Sequence, residues 1–266
     1  MLRIAVAGAS GRMGKMLIEA VGNAPDMALS GALDIASSAA IGADPVAFLG
    51  KTSNLRVTAD LQTGLADSDV LIDFTRPAAT LANLAVCRRN GTRMVIGTTG
   101  FTESERAAIQ DASAEIAILL SPNMSVGVNV AMKLIDLATR ALAAGCDIEI
   151  VESHHRDKVD APSGTALKMG EVVAAAQGKR LADIEVHARH GHTGPRKPGT
   201  VGFSAVRGGD IVGEHTVMYV GTGERIEITH RSTSRANYAD GSLRAARFVA
   251  PKTSGLFDMD DVLGLR

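Results

Sequence analysis

Leu2-Arg3-Ile4-Ala5-Val6-Ala7-Gly8-Ala9-Ser10-Gly11-Arg12-Met13-Gly14 runs from a short apolar segment through a glycine turn into an amphipathic stretch that continues to Val21. A strand that feeds a helix through glycines spaced by three reads as a G-x-x-G-x-x-G variant of the dinucleotide-binding turn. Residues without Cβ let the backbone bend sharply and approach a pyrophosphate, while the helix start offers unpaired N–H groups and a positive dipole end to that anion. Such a turn calls for an acid about 20 positions further on, after the second strand, to meet the adenosine ribose hydroxyls. Asp34 stands 20 positions after Gly14, directly behind the strand-like run Met27 to Leu33.

The alternation continues outward from this unit. Val70 to Phe74, Met94 to Ile96 and Ile116 to Leu120 read as short buried strands, and Pro77 to Arg89 and Thr102 to Ala114 as helices. Continuous apolar strands between helices indicate a Rossmann-type parallel sheet covered on both faces. A second glycine turn, Gly97-Thr98-Thr99-Gly100, follows a strand and should face the same crevice as Gly8 and Gly11. Thr102 and Glu105 form a capping-box pattern there, and Thr98 and Thr99 are placed to line a nicotinamide pocket.

Beyond a helix from Ser125 to Ala143 and a strand from Asp147 to Val151, a polar stretch reaches Ser163 and a helix runs from Gly164 to about Ala176. The chain then alternates in period two over Val201–Val206, Ile211–Val220 and Arg225–Thr229, with Gly-rich turns between. That texture predicts an α+β domain with a mostly antiparallel or mixed sheet. The expected division is a dinucleotide-binding domain over residues 1–125 and 235–266, completed by a last helix from Arg235 to Val249, and a substrate-binding and oligomerisation domain over residues 126–234.

Composition excludes several alternatives. With 266 residues, 45% hydrophobic, 28 Lys+Arg against 29 Asp+Glu and a net charge of −1, the chain can bury a core and lacks the basic excess of a nucleic-acid or membrane binder. Two unpaired cysteines, Cys87 and Cys146, suit a reducing compartment. A strand already begins at Leu2, leaving no room for a signal peptide, so a cytoplasmic protein is expected. The most apolar long segment, Met124 to Ala144, is interrupted by Lys133, Asp136 and Arg140 and does not read as a membrane span. All seven histidines fall between residues 154 and 230.

Four potentially cationic side chains, His154, His155, Arg156 and Lys158, lie within five residues and precede the helix start Pro162-Ser163-Gly164-Thr165. With Ser163 as cap, the amides of Gly164 and Thr165 remain available to an anion. Histidine supplies a proton donor that works near neutral pH, and a nearby lysine can donate a proton or hold a charge. The alternative is a solvated loop with a conventional cap. His187, His190 and His192 have suggestive spacing but no cysteine or clear carboxylate partner, so no metal site is expected.

Gly8 to Gly14, Asp73-Phe74-Thr75-Arg76-Pro77, Gly97 to Phe101, Ser125-Val126-Gly127-Val128-Asn129, Glu152 to Ala166, Gly209 to His215 and Gly255 to Met259 occur in the order seen in 4-hydroxy-tetrahydrodipicolinate (dihydrodipicolinate) reductases. The chain resembles that family over essentially its whole length, most specifically in His-His-x-x-Lys-x-Asp-x-Pro-Ser-Gly-Thr. The resemblance implies reduction of (2S,4S)-4-hydroxy-2,3,4,5-tetrahydrodipicolinate to tetrahydrodipicolinate with loss of water, using NADH or NADPH, in bacterial diaminopimelate and lysine biosynthesis. It implies His154 as proton donor/acceptor, Lys158 as proton donor, and His155, Gly164 and Thr165 as substrate-binding residues. It places the cofactor against Gly8, Ala9, Ser10, Gly11, Arg12, Met13, Asp34, Gly97, Thr98, Thr99, Ser121, Pro122, Asn123 and Met124. It further implies a homotetramer built through the second domain, and closure of the two halves on one substrate.

One position departs from the pattern associated with tight NADPH use, in which arginine follows the acid. Here Ile35 follows Asp34, leaving Arg12 and Arg76 as candidate phosphate partners and predicting that NADH serves at least as well as NADPH. Two other readings are a dehydrogenase of an amino-acid semialdehyde, which needs a nucleophilic cysteine, and a dinucleotide-sensing protein without turnover, which has no use for the His154 to Thr165 segment.

Overall fold

The computed structural model describes residues 1–187 and 189–266. The chain divides into two compact units, Met1–Val126 with Ala236–Arg266, and Gly127–Arg235.

In the first unit β1 (Leu2–Ala7), α1 (Arg12–Asn23), β2 (Met27–Leu33), α2 (Leu61–Leu65), β3 (Val70–Asp73), α3 (Pro77–Asn90), β4 (Arg93–Ile96), α4 (Glu103–Ala112) and β5 (Ala117–Leu120) follow one another. After the chain has passed through α5 (Val126–Leu142), β6 (Asp147–His154), α6 (Gly164–Ala176), β7 (Glu185–Val186), β8 (Val201–Arg207), β9 (Gly213–Val220) and β10 (Arg225–Ser232), it returns with α7 (Ala236–Val249), β11 (Gly255–Phe257) and α8 (Met259–Leu263). The first sheet is ordered β11-β5-β4-β3-β1-β2, and every pairing in it is parallel. Alternate residues of β1 explain why helices cover both faces. Ile4 and Val6 join one core with Leu17, Ile18 and Val21 of α1 and Leu243 and Val249 of α7, whereas Ala5 and Ala7 join another with Leu84 and Cys87 of α3 and Ile109 of α4.

Strand order reverses between β1 and β3, the position where an open parallel sheet binds ligands outside its carboxyl ends. The glycine turn after β1 and the Phe74-Thr75 turn after β3 therefore emerge side by side. The segment after Val249 contributes β11, which extends the sheet beyond β5; sequence alone reads it as a tail, because three residues carry no periodicity.

The second unit holds a five-stranded sheet ordered β10-β9-β6-β8-β7. It is mixed, since β9 runs antiparallel to β6 and β10 while β6, β8 and β7 run parallel. Ile148 and Ile150 of β6, Val217 and Tyr219 of β9, and Val201 and Phe203 of β8 pack beneath Ala166, Met169 and Val173 of α6. β6 does not stop at Val151 as its apolar run predicts. It continues through Glu152 and Ser153 to His154, because β8 and β9 pair with it on both sides up to that point. β9 starts at Gly213 rather than Ile211, and β10 reaches Ser232. Among the described residues no helix is long and apolar enough to cross a membrane.

Candidate active site

The glycine turn of the first unit is shaped by backbone contact. Gly8 adopts φ +70°, and a Cβ at Gly14 would collide with the Gly8 carbonyl, so helix and strand close up only if that position has no side chain. α1 starts at Arg12 with no side chain capping its N-terminus, which leaves its first amides for an anion. α4, in contrast, is closed by a full Thr102–Glu105 capping box. The Asp34 carboxylate accepts from the Ser10 amide at 2.9 Å and from the Ile35 amide at 2.9 Å. The acid at the end of β2 is thus brought against the glycine turn, and Ile35 beside it is 64% exposed. Uncapped amides, a turn that excludes Cβ atoms and an adjacent carboxylate together fit the pyrophosphate and ribose of a dinucleotide.

Gly97, Thr98 and Thr99 follow β4 into the same edge of the sheet. The Phe74 ring fills the space a Gly97 side chain would need, and Thr75 touches the Gly8 position. The Thr98 hydroxyl is buried, accepting from Thr80 at 2.9 Å and reaching toward Asp73, whose fully buried carboxylate also accepts from Thr75 and Asn83. What Thr98 can present to a ligand is therefore its backbone. Phe74 and Thr75, which stand within a quoted family motif but received no role from sequence, thus border the two glycine turns. Ser121 bonds the Asn123 carbonyl at 2.9 Å, and Met124 is wholly buried in the core.

In the second unit the inward face of β6 changes character along its length. Ile148 and Ile150 are core residues, and Glu152 and His154 continue the same row at 1% and 9% exposure. His154 Nδ1 lies 2.6 Å from Oε2 of Glu152. Arg207 grips both oxygens of Glu152 at 2.7 Å, and Oε1 also accepts from the Ser163 amide at 3.1 Å. Burial raises the affinity of the Glu152 carboxyl for a proton, but the hydrogen bonds from Arg207 and His154 outweigh it and hold the group below the ordinary carboxylate range. Arg207 also donates to the Asp160 carbonyl at 2.7 Å, tying down the loop that carries Lys158.

The Lys158 ammonium is held by the Asp160 carboxylate at 2.6 and 2.8 Å. Ser163 caps α6 through the Ala166 amide at 3.2 Å, which leaves the amides of Gly164 and Thr165 unclaimed among the described residues. The Ser163 hydroxyl also meets Nε2 of His215 at 2.8 Å, and the His215 and His154 rings stand edge to face at 5.1 Å. Burial, then the neighbouring His154, pushes His215 down to about 4, so it stays neutral at physiological pH.

The structure therefore assembles His154 and the Gly164–Thr165 helix start around one carboxylate. His155, just past the strand end, stays outside that network. Glu152, Arg207 and His215 are the site residues sequence reasoning did not assign. The available signal was the period-two spacing of Glu152 and His154, which puts both on the face carrying Ile148 and Ile150. His187 stacks on Phe203 with ring centroids 5.1 Å apart, and no described group of residues could hold a metal ion. Cys87 is wholly buried in α3 and burial raises its pKa, which removes it as a nucleophile of the semialdehyde type.

The family described as "Dihydrodipicolinate reductase, N-terminus" matches residues 2–124, and that described as "Dihydrodipicolinate reductase, C-terminus" matches residues 127–263. The chain is 62% identical over 265 residues to the 4-hydroxy-tetrahydrodipicolinate reductase of Herminiimonas arsenicoxydans, covering 100% of this chain and 99% of the relative. It is 60% identical over 265 residues to the protein of that name from Janthinobacterium sp. (strain Marseille), with the same coverage. Among solved structures it is similar to dipicolinate-bound dihydrodipicolinate reductase from Paenisporosarcina sp. TG-14, with TM-score 0.74, 26% identity and 97% of each chain covered.

Proposed function

The chain belongs to the dihydrodipicolinate reductase family, and on that premise we propose how its own residues divide the reaction. The activity is the NAD(P)H-dependent reduction of 4-hydroxy-tetrahydrodipicolinate to tetrahydrodipicolinate with loss of water, in lysine and diaminopimelate biosynthesis. The dinucleotide, when bound, supplies the hydride.

In this reading a dinucleotide-binding domain, residues 1–125 with 235–266, holds the cofactor. Gly8 to Met13 receive the pyrophosphate and Asp34 the adenosine ribose, with Gly97 to Thr99 and Ser121 to Met124 on the nicotinamide side. Residues 126–234 bind the substrate. His155 and the amides of Gly164 and Thr165 hold its carboxylates, His154 exchanges a proton, and Lys158 donates one. The observation that carries this assignment is the bonding of Glu152 to both His154 and the first turn of α6, which puts a proton-carrying group beside an anion-binding helix start.

Both NADH and NADPH serve as reductant, NADH at least as well. Support comes from Ile35, an exposed apolar residue beside Asp34 where a 2′-phosphate would call for a cation. Following the loss of NADH and NADPH absorbance, with substrate generated by the preceding synthase, tests activity and preference together. A strong kinetic preference for NADPH would overturn the second part.

The assembly is a cytoplasmic homotetramer formed through the second unit's sheet. Support comes from β10, the strand at the end of that sheet beside β9, on which Ile226 is 45% exposed. A stable monomer on gel filtration would contradict it.

A further inference from the structure

We propose that Glu152 is the positioning residue of His154, setting its tautomer and holding its ring so that Nε2 is the nitrogen that exchanges the proton. The proposal rests on the assignment of His154 to proton exchange made above.

Glu152 interrupts an apolar row. Beyond Ile148 and Ile150, an apolar side chain would serve the core without the cost of desolvating a charge, and exchanging a buried ion pair for well-packed apolar residues is often neutral or stabilising. The carboxylate is instead satisfied on every side, by both arms of Arg207, by the Ser163 amide and by His154 Nδ1. Because its ionised form is held by these bonds, it only accepts hydrogen. Nδ1 must therefore carry the hydrogen, which leaves the lone pair of neutral His154 on Nε2. Nε2 faces Gly213, where a Cβ would lie 3.0 Å away. Glycine at that position keeps the second nitrogen clear.

The chemistry of the substitution Glu152→Gln makes the test sharp. Both Glu152 oxygens accept hydrogen bonds, and an amide offers only one oxygen. With that oxygen kept on the Ser163 amide, the NH2 group faces Nδ1 and favours the opposite tautomer. In 15N-labelled protein at a pH where His154 is neutral, we expect imidazole 15N shifts of the Nδ1–H form in the wild type and of the Nε2–H form in Glu152→Gln. Turnover should fall at least about 10-fold, by analogy with the loss seen when the partner orienting a metal-ligating histidine is removed, with substrate KM near the wild-type value. Glu152→Asp, which keeps the charge, should retain the Nδ1–H form and an intermediate kcat.

A wild-type Nε2–H tautomer overturns the proposal even if Glu152→Gln does not fold. So does an unchanged tautomer in a folded Glu152→Gln. A changed tautomer with turnover intact supports the control of His154 by Glu152 and sinks instead the assignment of His154 to proton exchange.

Discussion

The Ser163 hydroxyl lies 2.8 Å from Nε2 of the buried His215 while it caps α6 through the Ala166 amide. One oxygen thus joins the helix start proposed to hold the substrate to the titratable row on β6 and β9. Since that oxygen accepts from Ala166, its own hydrogen is free to be donated to a neutral imidazole.

The burial of His215 should make the fold sensitive to mild acid. His215 has an ordinary pKa of 6.5 and a folded value of about 4, so between these limits the unfolded chain binds the extra proton. Stability is full above about pH 6.5 and falls as pH drops toward 4. The loss is about 3 kcal/mol at most for this group. Urea unfolding of wild type and His215→Gln across this range should show a steeper loss in the wild type; parallel curves would refute the assignment. His230, also held low by burial, adds in the same direction. Glu152, whose folded pKa is likewise depressed, acts in a lower window: its contribution is lost as pH falls below the ordinary carboxylate value of 4.5.

Ser163→Ala removes the cap and strands His215 together. We expect a destabilisation of about 1–3 kcal/mol in denaturant unfolding, with Ser163→Thr recovering most of it. A variant as stable as wild type would show that neither hydrogen bond matters.

His154→Ala and Lys158→Ala should each lower turnover about 10²–10⁴-fold, the usual contribution of a general acid–base group, while NADH affinity by fluorescence titration stays unchanged. The separation follows from the placement of both residues in the second unit and of the glycine turn in the first. Wild-type turnover in both variants would remove them from the reaction.

Ile35→Arg places a cation beside Asp34 on an already exposed side chain. The ratio of kcat/KM for NADPH over NADH should rise about 10-fold, the worth of one charge-assisted hydrogen bond. An unchanged ratio would mean that the 2′-position lies elsewhere, toward Arg12 or Arg76.

The dinucleotide half was legible because its signals are local. Gly8, Gly11 and Gly14 sit in one turn, strand and helix periods differ visibly, and Asp34 follows a strand end. The segment from His154 to Thr165 was equally legible as a cationic run before a helix cap. β11 was not, because three residues show no period. The end of β6 was misjudged because Glu152 and His154 look like loop residues until their partners are known.

By itself the sequence determined most of the elements, the glycine turn with its acid, and the cationic run ahead of a helix cap. Only the tertiary structure decided that Arg207, 55 residues away, neutralises Glu152, and that His215, 52 residues away, meets Ser163. The physical reason is register. Period two tells which residues of a strand share a face, whereas the neighbour across the sheet depends on strand order and pairing, which β8 and β9 set by flanking β6 on its two sides.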